Sequence, residues 1–525
     1  MAGGICRRAL CAALVVLGPI ALAAAEVRDP NSAAAWREQG RAAVTAARAL
    51  APLRGHARNV IVFIGDGMGV STVTAARILD GQLRGQPGEE NLLSFERLPY
   101  TALIKTYNTN QQVPDSAGTV TAILSGVKTR AGVIGLDASA LVGVPSKPGQ
   151  RLRTLFEWAE ERGLATGVVT TARLTHATPA GAYAHTPDRD WECDADLPAA
   201  ASRAGERDIA TQLVWMSAGD GIDVALGGGR AQFLPASAPD PEYPDQRGRR
   251  ADGRDLIAAW QAARPGRAFV WNRAQLSALD LAKTRQILGL FEPSHMQFET
   301  QRARDAAGEP SLAEMTGVAI DRLARDKKGF VLLVEGGRID HGHHAGSAYL
   351  ALHDAIALSA AVDAALARVK LTETLVVVTA DHSHTLTLGG YPTRGNPILG
   401  LVRGNDEHGE PTREPMRDAS GRPYTTLGYA NGPGYTGASD AQPEGPKRFP
   451  HSSRSVKGIA EGRPDLSHVD TADPNYLQES AVPLDSETHG GEDVPLYAGG
   501  PGAQLFHGVQ EQSYIYHALV AALGW

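Results

Sequence analysis

Cysteine is scarce in this chain of 525 residues, which contains only three. Two of them, Cys6 and Cys11, lie in residues 1–25, a segment with two arginines, a mostly apolar run and three alanines at its end. These features in this order are typical of an export signal that is cleaved. The mature chain would keep Cys193 alone, so no internal disulfide could stabilise it.

Long apolar runs and segregated charge are also missing. The run at 9–22 is interrupted by Gly18 and Pro19, whereas a membrane-spanning helix needs about 20 apolar residues. The amphipathic stretch 517–525 has no hydrophobic tail, so we expect no membrane or lipid anchor. The net charge is −7 with both signs interspersed, which indicates neither a nucleic-acid partner nor an anionic membrane surface. We therefore expect an exported protein, periplasmic or extracellular.

Several common signatures are absent as well. No internal repeat is visible, which argues against solenoids and propellers. The glycines match neither the dinucleotide fingerprint nor the P-loop. No Gly-x-Ser-x-Gly sequence occurs, so a hydrolase of the Ser-His-Asp type has no local support.

What the sequence does contain is an alternation of short apolar runs with helical patterns. The clearest strands are predicted at 60–64, 167–170, 331–334 and 375–378. The pattern predicts an α/β fold, a three-layer α/β/α sandwich around a large, mostly parallel sheet. Polar residues follow these strands closely and can converge at the carboxyl edge of the sheet. Residues 389–486 are rich in glycine, proline and charge, which indicates an inserted subdomain between two parts of the catalytic domain, 26–388 and 487–525.

Two short motifs offer chemistry, each with an ordinary alternative. Asp66 lies in a glycine-rich turn after the first strand, where it could be a metal ligand or part of a structural turn. Ser116 precedes a predicted helix, whose amino end favours negative charge such as an alkoxide or an attached phosphate. The alternative for Ser116 is an ordinary helix N-cap.

Histidine and carboxylate side chains are concentrated in three further segments. The segment 335–344 has three histidines and two carboxylates, and Asp340 and His344 would share one face of a helical turn. The segments 381–384 and 487–493 repeat these residue types. Mixed nitrogen and carboxylate ligands suit zinc, and oxygen-rich sets suit magnesium. A chance cluster in a polar loop is the alternative, but two ions beside a serine favour phosphoryl transfer.

With these motifs in this order, the chain resembles the alkaline phosphatases, more closely the animal, intestinal or placental type than the enterobacterial type. The resemblance extends from about residue 59 to the C-terminus, and it implies that 389–486 corresponds to the animal crown domain in a longer form. It also implies a homodimer. The implied activity is hydrolysis of small-molecule phosphate monoesters through a phosphoserine at Ser116, with two zinc ions and one magnesium ion.

The resemblance also assigns roles to individual residues. It implies that Arg189 clamps the phosphate. The implied zinc ligands are Asp340, His344 and His489 for the first ion, and Asp66, Asp381 and His382 for the second. Asp66 would also bind magnesium, together with Thr178 and Glu335. Three histidines would lie just outside the ligand sets: His176 and His341 beside the magnesium site, which would be reached partly through water, and His384 beside the first zinc.

Animal members of the family carry a peripheral calcium site. The resemblance places it at Glu242, the Phe291 carbonyl, Glu292 and Glu309. Glu309 stands where an aspartate is expected, near a small insertion. Calcium coordination depends on ligand reach, so binding at this site depends on whether the longer glutamate side chain fits.

Three other functions fit the sequence less well than a phosphatase. A sulfatase would carry a Cys/Ser-x-Pro-x-Arg motif, which the sequence after Ser116 lacks. A phosphodiesterase would have less use for the Arg189 clamp, which favours a doubly charged monoester. A silent metal- or phosphate-binding protein is disfavoured because the nucleophile, the clamp and nearly all ligands are present.

Overall fold

A computed structural model describes residue 1 and residues 32–525. The predicted export signal, 1–25, lies outside the described residues apart from Met1. The chain divides into a short unit, residues 1–51, and a main unit, residues 52–525. The short unit contains helix α1, Ala33–Ala49, which begins after Ser32, whose hydroxyl accepts the N–H of Ala35 at 3.2 Å. No residue of α1 is buried.

The main unit is built on a ten-stranded sheet in the order β15-β2-β14-β8-β1-β7-β3-β4-β6-β5. Its strands are β1 Asn59–Gly65, β2 Tyr100–Lys105, β3 Ala165–Arg173, β4 Val224–Gly228, β5 Arg267–Val270, β6 Gln286–Leu290, β7 Phe330–Gly336, β8 Thr374–Ala380, β14 Val494–Gly499 and β15 Gly508–Glu511. Only β14 runs antiparallel to its neighbours in this sheet. The predicted mostly parallel sheet is therefore confirmed, and all four predicted strands lie within it.

Helices cover the sheet. Those of the main unit are α2 Val70–Leu83, α3 Ser116–Ser125, α4 Leu155–Arg162, α5 Ala177–Ala180, α6 Ala199–Arg203, α7 Ile209–Val214, α8 Leu256–Ala263, α9 Arg273–Ser277, α10 Glu299–Arg302, α11 Leu312–Leu323, α12 Arg338–His344, α13 Ala348–Leu366 and α14 Tyr514–Leu523. Helix α13 contacts α2 and α11 in one group, and α3 contacts α4 and α14 in another. This is the α/β architecture that the strand and helix pattern predicts.

Burial explains the strongest elements. Strands β1, β7 and β8 lie side by side at the centre of the sheet, and nearly every residue in them is buried. Strands buried on both faces are continuously apolar, which is the pattern in the sequence. Helix α13 is long and apolar enough to cross a membrane by composition, with mean hydropathy 1.3. It is mostly buried in the main unit, as a core helix would be.

The predicted insertion, 389–486, contains little regular structure. Its strands are β11 Leu427–Gly432 and β12 Ser480–Pro483, which pair with β10 Leu386–Leu388 in a three-stranded sheet. The remaining short strands, β9 Ser383–His384 and β13 His489–Gly490, pair antiparallel with each other. The boundaries of the insertion stay a prediction, but β11 contributes a side chain to the site described next.

Candidate active site

Ser116 is the first residue of α3, not its N-cap. The N-cap is Asp115, whose Oδ1 accepts the N–H of Gly118 at 3.1 Å. The alternative that Ser116 is an ordinary N-cap is therefore wrong, because the side chain of Asp115 accepts the hydrogen bond that an N-cap accepts. The Ser116 hydroxyl is buried, and its Oγ lies 3.1 Å from Nε2 of His382. A nucleophile or an attached anion at this position would face the positive amino end of α3.

Arg189 is fixed next to this helix start. One of its amino groups donates to Asp115 Oδ2 at 3.2 Å, and the other lies 3.1 Å from Nε2 of His176. Burial opposes the charged guanidinium, but the carboxylates of Asp115 and Asp66 raise the pKa of Arg189 above its ordinary value. The side chain therefore remains a cation with a defined orientation. Asp115 couples the helix start to the arginine, a role that the sequence reading did not assign.

Asp66, Asp381 and His382 form a second part of the site. Asp66 follows β1, while Asp381 and His382 follow β8, so neighbouring parallel strands deliver all three. His382 Nε2 lies 3.2 Å from Asp381 Oδ2 and 3.4 Å from Asp66 Oδ1. One ligand atom from each lies within 4.8 Å of the others. All three are fully buried.

The turn after β1 requires a glycine at position 67. Gly67 has φ +69°, and its N–H donates to Asp381 Oδ1 at 2.9 Å. A Cβ there would lie far inside van der Waals contact of Cδ2 and Nε2 of His384. Only glycine allows both the left-handed backbone at this position and the close approach of the His384 ring.

A third set converges on Asp340. Asp340 and His344 lie one turn apart on α12, with His344 Nε2 at 3.2 Å from Asp340 Oδ1. The corresponding distances are 2.8 Å for His384 Nε2 and 3.4 Å for His489 Nε2. The pairing of β9 with β13 places His384 directly opposite His489. Ligand atoms of all four residues lie within 4.8 Å of one another, so His384 lies against the three predicted ligands of the first zinc, and its place just outside them stays a prediction.

The hydrogen bonds of these three histidines determine which nitrogen faces the centre. Nδ1 of His344 lies 2.5 Å from the Glu487 carbonyl, and Nδ1 of His384 lies 2.5 Å from Glu487 Oε2. Nδ1 of His489 lies 2.7 Å from the carbonyl of Pro114. Each Nδ1 therefore donates a hydrogen, so Nε2 of each imidazole is the nitrogen that faces the centre. Lone pairs that face one another, such as those of His344 and His489 at 3.1 Å, need a cation between them.

Asp66 also belongs to a set with His176 and Glu335, whose ligand atoms lie within 4.8 Å of one another. His176 is thus close enough to act as a direct ligand. Thr178 Oγ1, Glu335 Oε1 and both oxygens of Asp66 are buried without a hydrogen-bond partner among the described residues. The other Glu335 oxygen accepts from the Thr170 hydroxyl. Buried oxygens left unpaired in this way are costly unless an ion binds them.

The pKa shifts of buried groups also indicate that the site binds cations. Burial, followed by the charges of Asp381, Asp340 and Glu335, raises the pKa of Asp66 well above its ordinary value. Burial also raises the pKa of Glu335, to about 7. His384 shows the converse: burial works against its charged form, yet the Glu487 carboxylate and Asp340 raise its pKa to about 10. The site is therefore a buried concentration of negative charge that favours cations.

His341, expected beside the magnesium set, lies near His176 with ring centroids 5.6 Å apart. Its Nδ1 lies 3.1 Å from an amino group of Arg338. The ring of His295, which the sequence reading missed, lies 4.1 Å from that of His341. His295 comes from the loop after β6, and no pattern linked it to the other histidines.

Two other residues that support the site were also missed. His343 is fully buried, with Nδ1 at 2.7 Å from the hydroxyl of Tyr429 on β11, and its ring stacks on that of His384 at 4.7 Å. The predicted insertion thus contacts the site through Tyr429. Glu487 belongs to the predicted segment 487–493, but the sequence analysis gave it no role. Its position two residues before His489 was the only sequence signal that it lies near the site.

The predicted calcium ligands lie together only in part. Glu242 and Glu292 form a set with Asp305, within 4.8 Å, and Phe291 directly precedes Glu292. Asp305 was not predicted. Burial, together with Asp305 and Glu292 and against the opposing effect of Arg230, raises the pKa of Glu242 to about 7.

Glu309, the fourth predicted calcium ligand, is not in that set. Both of its carboxylate oxygens accept the backbone N–H of Gln297, at 2.9 and 3.2 Å. Burial raises the pKa of Glu309 to about 9, so it is neutral near pH 7. Its role as a calcium ligand stays a prediction, and Asp305 is the third carboxylate beside Glu242 and Glu292.

The chain is similar to known proteins in both sequence and structure. The family model described as "Alkaline phosphatase" matches residues 57–525. The chain is 46% identical to the tissue-nonspecific isozyme of alkaline phosphatase from Gallus gallus, over 94% of this chain and 89% of that protein. It is 45% identical to an alkaline phosphatase from Gadus morhua, over 93% and 96%. Among solved structures, alkaline phosphatase from Thermus thermophilus matches with TM-score 0.62 and 28% identity, over 90% and 92%.

Proposed function

The chain belongs to the alkaline phosphatase family and is a phosphoric monoester hydrolase. From this premise, we propose that it transfers phosphate from a monoester to Ser116 and then to water, at a site for two zinc ions and one magnesium ion. The observation that carries this proposal is the position of Ser116. Its hydroxyl lies at the amino end of α3, 3.1 Å from a histidine of one ligand set.

Alkaline phosphatases are metal-dependent, and the residues present fit such ions. Two imidazole nitrogens and a carboxylate suit zinc. The second zinc would be held by Asp66, Asp381 and His382, which also combine nitrogen and oxygen ligands. The first would be held by Asp340, His344 and His489, with His384 against them.

Magnesium would be held by Asp66, Thr178 and Glu335, since these offer the oxygen ligands that it prefers. The unpaired oxygens of all three support this assignment. His176 adds a nitrogen to the set and would favour zinc in competition with magnesium.

The chemistry would proceed through a covalent intermediate. The Ser116 Oγ attacks phosphorus in line, the Oγ–P bond forms, and the bond from phosphorus to the alcohol oxygen breaks. The alcohol leaves with a proton. Water then attacks the phosphoserine, inorganic phosphate leaves, and Ser116 regains its proton. Bound metal ions would supply Lewis-acid polarisation and lower the pKa of the serine hydroxyl and of water.

The chain's own groups position the phosphate. Arg189 offers two amino groups in a planar fork, which matches the oxygens of a phosphate dianion. The N–H groups at the start of α3 add partial positive charge beside the same oxygens. A monoester carries one more negative charge than a diester, so this arrangement favours the monoester.

We extend the proposal to calcium, location and assembly. Glu242, Glu292 and Asp305 supply oxygen ligands of the kind that calcium prefers. The family resemblance supports a homodimer, and the signal-like segment 1–25 supports export. Sedimentation of the purified protein, with and without calcium, tests the assembly and the ion together.

The test of the proposed function is hydrolysis of a chromogenic phosphate monoester between about pH 7 and pH 10. It is run beside the matching diester and sulfate, before and after chelation, with zinc and magnesium added back. We expect monoester hydrolysis that is lost on chelation and restored by both ions. A preference for diester or sulfate, or activity indifferent to chelation, would contradict the proposal.

A further inference from the structure

A cavity of about 130 Å³ is lined by helices α7 and α8 and by β4, β5 and β6, the strands at one end of the sheet. Buried apolar side chains make its inner wall: Leu213, Val214, Ala225, Trp260, Ile287 and Leu288. An apolar cavity of about 150 Å³ holds a benzene molecule, so one aromatic ring matches this volume. The lining residues of the three parallel strands come from the first three positions of each strand, whereas the candidate active site lies at the carboxyl edge of the sheet. The two sites are therefore separate.

Arg267, the first residue of β5, brings a fixed positive charge to this cavity. Its Nε–H donates to Oε1 of Gln286 at 2.7 Å, and one amino group donates to the carbonyl of Trp260 at 2.7 Å. The amide of Gln286, which is buried, donates in turn to the carbonyls of Asp220 and Gly221 at 2.9 and 3.2 Å. These bonds orient the guanidinium, and its second amino group has no hydrogen-bond partner among the described residues. That amino group is available to an anion in the cavity.

The charged residues that line the cavity are two arginines and one aspartate, Arg264, Arg267 and Asp220, which together carry a net charge of +1. Arg264 follows α8, donates to the carbonyl of Asp220 at 2.9 Å and lies 3.5 Å from its carboxylate, so these two groups offset each other at the exposed mouth. Arg267 forms no ion pair with a carboxylate of the described part of the chain. Burial, and then the charge of Arg264, lower the pKa of Arg267. A partly buried cation of this kind is stabilised when an anion binds it.

We propose that this cavity binds a small aromatic monocarboxylate, with the ring against the apolar wall and the carboxylate on Arg267. A carboxylate presents two oxygens in one plane, which match the planar donors of a guanidinium. The Arg267 guanidinium already lies over the ring of Trp260, 4.8 Å from its centre, so an aromatic ligand would extend this stack. The single excess charge and the apolar wall favour this class over phosphate or a phosphate monoester, which carry more charge and need more donors. The site is independent of the phosphatase reaction and of bound metal.

Benzoate is the probe for this site. Its binding to the purified protein is measured by titration calorimetry in saturating inorganic phosphate, which occupies the candidate active site. We expect a Kd on the order of 1 mM or below. Benzyl alcohol, which has the same ring without the charge, should bind about tenfold more weakly or worse. Arg267→Gln should weaken benzoate binding by a similar factor. Arg285→Gln, the same change on an exposed arginine that does not line the cavity, should leave the Kd unchanged.

A second pair of variants tests the position of the ligand without changing a charge. Ala263 is exposed and lines the cavity, whereas Ala262 beside it is exposed and does not. Ala263→Phe should therefore abolish benzoate binding and Ala262→Phe should not, while both unfold at the wild-type urea midpoint. This pair decides the question even where Arg267→Gln unfolds at lower urea.

Four results would overturn the proposal. Phosphate that displaces benzoate would assign the binding to the active site. Benzyl alcohol that binds as tightly as benzoate would remove the role of Arg267. An Ala263→Phe variant that binds benzoate like the wild type, or no detectable binding to the wild type at millimolar benzoate, would show that the cavity does not take this class of ligand.

Discussion

Replacing Gly67 with alanine should damage both stability and metal binding, and a second glycine provides the control. Gly67 and Gly85 have nearly the same left-handed backbone, with φ +69° and +75°. An alanine Cβ at position 85 has nothing within 4 Å, whereas at position 67 it would collide with the ring of His384. The pair therefore separates backbone strain from steric overlap.

The expected magnitudes follow from these two contributions. A residue other than glycine in the left-handed region costs about 1–2 kcal/mol. The reduced freedom of the unfolded chain returns about 0.4–1 kcal/mol. Gly85→Ala should thus cost between about 0 and 1.6 kcal/mol. Gly67→Ala adds overpacking of about 1–3 kcal/mol in the buried site, for a total of about 1–4.6 kcal/mol.

Urea unfolding of the metal-free chain measures this difference, and zinc content after dialysis measures the effect on the site. Gly67→Ala should unfold at clearly lower urea than Gly85→Ala and should retain less zinc, because His384 is displaced. Equal unfolding midpoints and equal zinc content for the two variants would refute the argument that His384 closes against the turn after β1.

Three further outcomes are expected. Arg189→Lys should raise the KM for a phosphate monoester about tenfold, because one of two fork donors is lost; an unchanged KM in steady-state assays would contradict the clamp. Glu160 has a pKa that burial raises from 4.5 to about 8, so the folded chain retains a proton that the unfolded chain releases. Stability should therefore fall as pH rises from about 4.5 to about 8, and Glu160→Gln should remove up to about 5 kcal/mol of this dependence in urea titrations at several pH values. Thr154→Ala breaks the capping box of α4 and should cost about 1 kcal/mol in the same assay, while catalytic constants stay constant.

The central strands could be predicted because they are buried on both faces. Runs such as that of β1 must be apolar along their whole length, and the polar residues after them must meet at one edge of a parallel sheet. The pairing of Asp340 with His344 followed from helical spacing alone. Arg189 had no such local signal, and only the resemblance identified it.

Residues whose roles depend on tertiary contacts were harder to predict. Asp115, not Ser116, caps α3, because either side chain can serve at a helix start and the packing around it decides. The acidic set contains Asp305 and not Glu309, because the course of the chain between α10 and α11, which the sequence pattern does not specify, decides which carboxylate approaches Glu242 and Glu292. Glu487 acts through hydrogen bonds to histidines more than a hundred positions away, and no periodic pattern reports such contacts.

The most direct test of phosphoryl transfer to Ser116 is to trap the intermediate. The zinc- and magnesium-loaded enzyme is quenched with acid during turnover of a phosphate monoester, digested, and analysed by mass spectrometry. We predict phosphate on the peptide that contains Ser116, and none in a Ser116→Ala variant, whose turnover should fall more than about a thousandfold. Phosphate on another residue, or a Ser116→Ala variant that hydrolyses the monoester at the wild-type rate, would contradict the mechanism.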